Sequence, residues 1–288
     1  MFLFMDKALR ALQKKVLSYE RNILQESYIE NYSPSIVFQE VDGLFDITFF
    51  GEGYDDNPQE ACDEDFGGNY AFCNLLDLLA QQRYADKVLS LNFTGPDMGA
   101  NGLRSWVFNR LVNAEVCFPQ LKSFQVTLTD PGDHNQSLID DNGSLEENGM
   151  VARLVARMPA IEFLAIPSAP NADFFTIPLP DLKRFIVQAG MDHQDFIANL
   201  AKSSCMPALF SLDFADVMYN WNEQSGTSFE DFAALFRSAL LRKGFHFKLR
   251  FSKLTQAQLF ELQKMNGGVQ FLVIPSEPAY YVSHAMRN

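Results

Sequence analysis

Four histidines, four cysteines and two acid-rich stretches are the residues of this chain whose types could support chemistry. His134, His193, His246 and His284 show neither H-E-x-x-H nor H-x3-5-H spacing, so no pair has the local signature of a zinc site. Cys62, Cys73, Cys117 and Cys205 contain no C-x-x-C pair, and they read as reduced thiols of a cytoplasmic protein. No phosphate-cradling G-x-x-x-x-G-K-[ST] loop, G-x-G-x-x-G turn or G-x-S-x-G elbow occurs. The chain is therefore expected to be no enzyme and to need no metal or cofactor.

The acidic stretches invite a calcium reading. Residues 52–65 hold Glu52, Asp55, Asp56, Glu60, Asp63, Glu64 and Asp65 with no Lys or Arg. Residues 130–147 hold Asp130, Asp133, Asp140, Asp141, Glu146 and Glu147. Taking Gly143 as the loop glycine of an EF-hand puts Leu138 at the first ligand position and Gly149 where a bidentate Glu is required, so that frame fails. Both stretches read as solvated loops, the second ending at Ser144 as a helix N-cap. Their functional reading is a landing site for a cationic protein. The whole chain supports it: 23 basic against 36 acidic residues give a net charge of −13 and a pI near 4.7. Such a field repels nucleic acid and anionic lipid and favours basic partners. The apolar start Met1–Met5 stops at Asp6 without a basic flank, and no run approaches the ~20 apolar residues that span a bilayer.

The elements that would carry a binding surface are legible in apolar spacing. Leu9, Leu12, Val16, Tyr19 and Ile23 form one stripe of a helix over 5–27. Two β-rich runs flank Asp42-Gly43, a dipeptide suited to a type I′ hairpin. From residue 70 helices and strands alternate. Helices are expected over 70–83, 101–117, 145–157, 192–203, 228–241 and 255–265, with Trp106 in the core of the second. The Phe174–Ile177 segment reads as an extended link.

An octapeptide Pro-x-Φ-x-x-Φ-x-Φ, with Φ a large apolar residue, occurs four times, beginning at Pro119, Pro159, Pro180 and Pro207. It marks an internal repeat. With the frame on the first apolar residue, strands start at Val88, Leu121, Ile161, Leu182, Leu209, His246 and Val269. Strand side chains alternate, so the third, fifth and seventh positions share the face opposite the apolar one. Five of those seven sets are mainly polar. The exceptions are Phe163/Ala165/Pro167 and Phe271/Val273/Pro275. A doubly wound α/β sheet would have to bury Arg184, Asp213, Lys248 and Arg250 at several kcal/mol each, which favours a sheet covered on one face only.

In these strand motifs, over about residues 86–276, the chain resembles the leucine-rich repeat family, specifically the irregular, helix-containing repeats of bacterial cytoplasmic proteins. The family's usual Asn or Cys three positions after the last strand apolar residue is absent. The resemblance implies an α/β solenoid with a parallel concave sheet and outer helices, and protein–protein recognition. The expected organisation is a helix and β-hairpin cap over residues 1–70 and a solenoid over 71–288. Expected contacts with a partner are Gln125, Phe163, Arg184, Ile186, Asp213, Lys248, Arg250 and Phe271 on the open face, with Tyr219 and Trp221 in the loop 216–227. A basic protein partner, in the manner of an inhibitor or immunity protein, is the leading expectation. A self-associating structural subunit is the alternative, and a metal protein or enzyme using the acidic loops the third.

Overall fold

The computed structural model describes residues 3–23, 34–53, 69–95, 103–130, 135–140, 147–190, 192–217 and 226–274. In chain order the elements are α1 (Leu3–Ile23), β1 (Ser35–Val41), β2 (Leu44–Phe50), α2 (Tyr70–Leu79), α3 (Gln82–Ala85), β3 (Val88–Thr94), β4 (Leu103–Trp106), α4 (Asn109–Asn113), β5 (Ser123–Val126) and β6 (Asn135–Leu138). Then follow α5 (Met150–Val155), β7 (Phe163–Ile166), a 3-10 helix (Ala172–Thr176), β8 (Arg184–Gln188), α6 (Phe196–Lys202), β9 (Ser211–Ala215), α7 (Phe229–Arg237), β10 (His246–Arg250), α8 (Gln256–Met265) and β11 (Gln270–Ile274).

Nine strands form one sheet in the order β1-β2-β3-β5-β7-β8-β9-β10-β11. Only the β1–β2 hairpin is antiparallel; every later pairing in this sheet is parallel. Asp42 and Gly43 both take positive φ (52° and 79°), the conformation a type I′ turn demands of its two central residues. One core cluster runs from Met5 to Val269, so the hairpin region and the later strands share a single interior.

The proline repeat has a local cause. Leu121, Ile161, Leu182 and Leu209 donate their N–H groups to the carbonyls of Phe118, Met158, Leu179 and Met206. Each is a four-residue β-turn with proline second, the position its fixed φ suits. The apolar residue at either end of each turn is buried. After the turn, alternation sends Phe124/Val126, Leu164/Ile166, Phe185/Val187 and Leu212/Phe214 into the same layer. Phe72 of α2, Phe108 ahead of α4, Phe174 of the 3-10 helix, Phe196 of α6 and Phe232 and Phe236 of α7 meet that layer edge-on, tilted or stacked. These helices therefore contribute to one face of the sheet. Each fully buried phenylalanine contributes about 1.5–3 kcal/mol by leaving water.

Several sequence expectations need correction. The helix over 101–117 is in fact β4, a connection and α4. β4 pairs in parallel with β6 as a second small sheet, and Trp106 also bridges to Gly53. Trp106 is buried, but in a strand. A Cβ on Gly53 would lie 2.2 Å from its ring, so glycine is required there. Phe174–Thr176 of the expected link belong to the 3-10 helix, started by Asn171 accepting from the Asp173 N–H, and only Ile177 is extended. The helix over 192–203 begins only at Phe196, and that over 228–241 ends at Arg237.

The strand frame also slips at the end of the chain. Before β7, β8 and β9, two successive N–H groups share one carbonyl: Glu162 and Phe163 on Lys122, Lys183 and Arg184 on Glu162, Phe210 and Ser211 on Lys183. That accommodates two residues between the turn and the first inward strand residue. β10 and β11 have one residue there, after Phe245 and Val269. Phe271 therefore aligns with Phe247, and Val273 with Leu249, on the helix-covered face. A one-residue slip exchanges the faces of a strand. Lys248 and Arg250 keep the open-face assignment because they align with Asp213 and Ala215.

Candidate binding face

The open face is built from the alternate residues of these strands. Register places Ser123, Phe163, Arg184, Ser211, His246 and Gln270 in one row across β5 to β11. The next row holds Gln125, Ala165, Ile186, Asp213, Lys248 and Leu272. Gln125, Phe163, Arg184, Ile186, Asp213, Lys248 and Arg250 thus meet on one surface. Phe271 does not: it packs against Phe236 and Phe247, at ring distances of 4.9 and 5.5 Å, inside the helix layer. Leu272 takes its place, 55% exposed, and sequence reasoning missed it because the frame was one residue out. Tyr219 and Trp221 lie outside the described residues.

Asp213 is the electrostatic centre of this face. Its Oδ2 pairs with Lys248 Nζ at 2.8 Å and its Oδ1 accepts from Arg250 Nε at 2.8 Å. Asp213 and Arg250 each keep 16% of their side-chain exposure, and Lys248 keeps 38%. Arg250 Nη2 is buried without a hydrogen bond, so one carboxylate serves two cations incompletely. Arg184 lies over the Phe163 ring, 5.1 Å from its centroid, in a cation–π contact. A second acid between two cations stands where the strands begin. Glu162 meets Lys183 at 2.5 Å and Lys122 at 3.1 Å. Lys183 first and Lys122 second hold its carboxyl below the usual range. A groove of about 450 Å³ crosses β8 to β11, lined by Arg184, Ile186, Asp213, His246, Lys248 and Leu272 among others.

Two carboxylates outside this face are structural, which their sequence context hid. Glu147 is buried, not solvated, and accepts from the N–H groups of Gly149 (2.9 Å) and Val151 (2.6 Å) at the start of α5. It caps that helix in the role expected of Ser144, which lies outside the described residues. Asp216, fully buried after β9, accepts from Val217 N, Thr227 N and Thr227 Oγ1, each at 2.9 Å. Burial raises the pKa of both carboxyls, against the pull of these donors. Gln188, also fully buried, grips the Thr129 backbone through both ends of its amide. The only advance signal was the polarity of these three residues, which sequence alone cannot distinguish from solvent exposure.

Among the described residues, no three His, Cys, Asp or Glu side chains converge as a metal site. Most of the acidic stretch 52–65 lies outside them. Cys117 and Cys205 are free thiols, but Cys73 is disulfide-bonded, its partner lying outside the described residues. The expectation of four reduced thiols fails at Cys73, and with it the main support for a cytoplasmic location. No described helix is long and apolar enough to cross a membrane. No family model and no curated protein matches this chain.

Proposed function

We propose that this chain is a non-catalytic protein-recognition module of leucine-rich-repeat type, a horseshoe whose hollow is the open sheet face. One observation carries the reading. Alternate residues of the strands fill an aromatic layer with helices, while on the opposite face Ser90, Asn92, Gln125, Arg184, Asp213 and Lys248 are partly or fully exposed and only Ala165, Gln188 and Ala215 are buried. A rigid sheet presenting polar and charged groups with an aromatic at Phe163 suits recognition of another protein. The net charge of −13 attracts a basic partner at long range, as an inhibitor or immunity protein would need.

The test is affinity purification from the native host with wild-type protein and with the Arg184→Glu/Ile186→Ser variant. Arg184 and Ile186 are suitable because neither is fully buried; reversing Arg250 would strand Asp213. Wild type should retain a partner that the folded variant loses. Equal retention by both would remove this face from consideration.

Self-association is a second reading, favoured by the last strand and helix. Phe260 of α8 is 61% exposed, Leu272 of β11 is likewise exposed, and β11 is the outermost described strand of the sheet. Sedimentation equilibrium at tens of micromolar decides it: a monomer sinks this alternative.

A further inference from the structure

We infer that the open face takes an extended acidic segment, carried on a protein that is otherwise basic. This rests on the reading of that face as the binding surface and adds the chemistry of its occupant. From β5 to β10, the open-face positions and the residue leading into each strand contain Lys122, Lys183, Arg184, Lys248 and Arg250. The same positions contain only Glu162 and Asp213 as acids. Five cations against two carboxylates leave a surplus of three, on a chain whose total is −13.

The acids are already committed. Glu162 is held by Lys122 and Lys183, and Asp213 by Lys248 and Arg250. An incoming Lys or Arg would have to displace one of these cations to find a carboxylate. An incoming carboxylate meets the opposite situation. Arg184 is exposed, positioned over Phe163, and makes no ion pair among the described residues. Lys248 stands two strands away, about 10 Å across the sheet, on the same side of the groove floor. Ile186 and Leu272 put apolar surface at the two ends of the stretch of row that holds Asp213 and Lys248 between them. That combination fits a chain alternating acidic and apolar side chains. The long-range field of the whole molecule repels an acidic protein, with a screening length of about 8 Å at physiological salt. A carrier of net positive charge removes that barrier, while its acidic segment satisfies the face at short range.

The experiment is fluorescence anisotropy with three labelled ten-residue peptides. They share apolar residues at alternate positions and carry Glu, Lys or Gln at the others. The Glu peptide should bind, weaken as salt rises, and lose at least tenfold in affinity with the folded Arg184→Glu/Lys248→Gln protein. Ile186→Ser should weaken it too without changing charge. If the Lys or Gln peptide binds as well as the Glu peptide, and Ile186→Ser weakens it, the face reading survives and the acidic inference falls. If no peptide binds, or binding ignores both variants, both fall. Displacement of the Glu peptide by an equal concentration of a twenty-base-pair DNA duplex would reassign the surplus charge to phosphate and overturn the inference. So would self-association of the wild type that the double variant abolishes, which would make a second copy the occupant.

Discussion

Phe185 and Ile186 are neighbours in the chain and stand on opposite sides of the same strand. Phe185 is fully buried between Phe174 and Phe196, with ring centroids 5.5 and 5.6 Å away. Ile186 looks onto the groove beside Arg184 and Asp213. The helix side and the open side differ in the same way over most of the sheet, with Ala165, Gln188 and Ala215 the buried residues of the open side. On the first, aromatic rings touch from Phe49 through Phe93, Phe108 and Phe124. On the second, contacts are polar, with one acid shared between two cations. One side has no room for change and supplies the stability. On the other, Phe163, Ile186, Asp213 and Lys248 are only partly buried, so their side chains can change at less cost.

The sharpest way to break this contrast is to substitute the adjacent pair. Phe185→Ala should cost about 3–5 kcal/mol by urea denaturation, the lost transfer energy plus a cavity. Ile186→Ser should cost less than about 1 kcal/mol. Equal costs would mean the open side is also core. Next in size is Gly53→Ala, which sets a methyl group against Trp106 and should cost about 1–3 kcal/mol. A neutral result would separate the small β4–β6 sheet from the rest of the fold.

A pH series extends the comparison to buried against exposed charge. Burial raises the folded-state pKa of Glu147 and Asp216, so the folded protein holds these two protons more tightly than the unfolded chain. Their contribution to stability is full below the unfolded-state values and is lost as pH rises through the folded ones. The melting temperature should therefore fall as pH rises above the ordinary carboxylate range. The fall should be shallower in Glu147→Gln/Asp216→Asn. An unchanged slope would place the titration elsewhere. The smallest effect is on the open side: Arg184→Ser should change stability by no more than about 0.5 kcal/mol. Alkylation completes the set. In denaturant without reductant, two of the four cysteines should label, Cys117 and Cys205, and all four after reduction. Four labels without reductant would show that Cys73 carries no bond in the isolated protein.

The alternation of helix and strand was legible in the sequence because apolar spacing reports it directly. The candidate face was legible where that spacing stayed constant. Arg184, Ile186 and Asp213 follow from the frame set by Leu182 and Leu209. Phe271 was misplaced because β11 has one residue fewer between its turn and its strand, a difference visible only when Phe271 aligns with Phe247. Trp106 looked helical because Leu103 and Trp106 recur at a helical interval, and only pairing with β6 and Gly53 makes that segment a strand. Glu147 and Asp216 looked like surface acids because their hydrogen-bond donors, backbone N–H groups, have no signature in residue type.

Residue order alone determined the turns and the layers. An apolar residue, proline, any residue and a second apolar residue close a β-turn through local torsions, and two-residue alternation then sorts side chains to opposite sides. The tertiary structure decided which charges meet. Asp213 draws in Lys248 and Arg250 from a strand some 35 residues later because parallel register sets them side by side. Register depends on how many residues each turn consumes before its strand begins, a property of the assembled backbone and not of any single residue type.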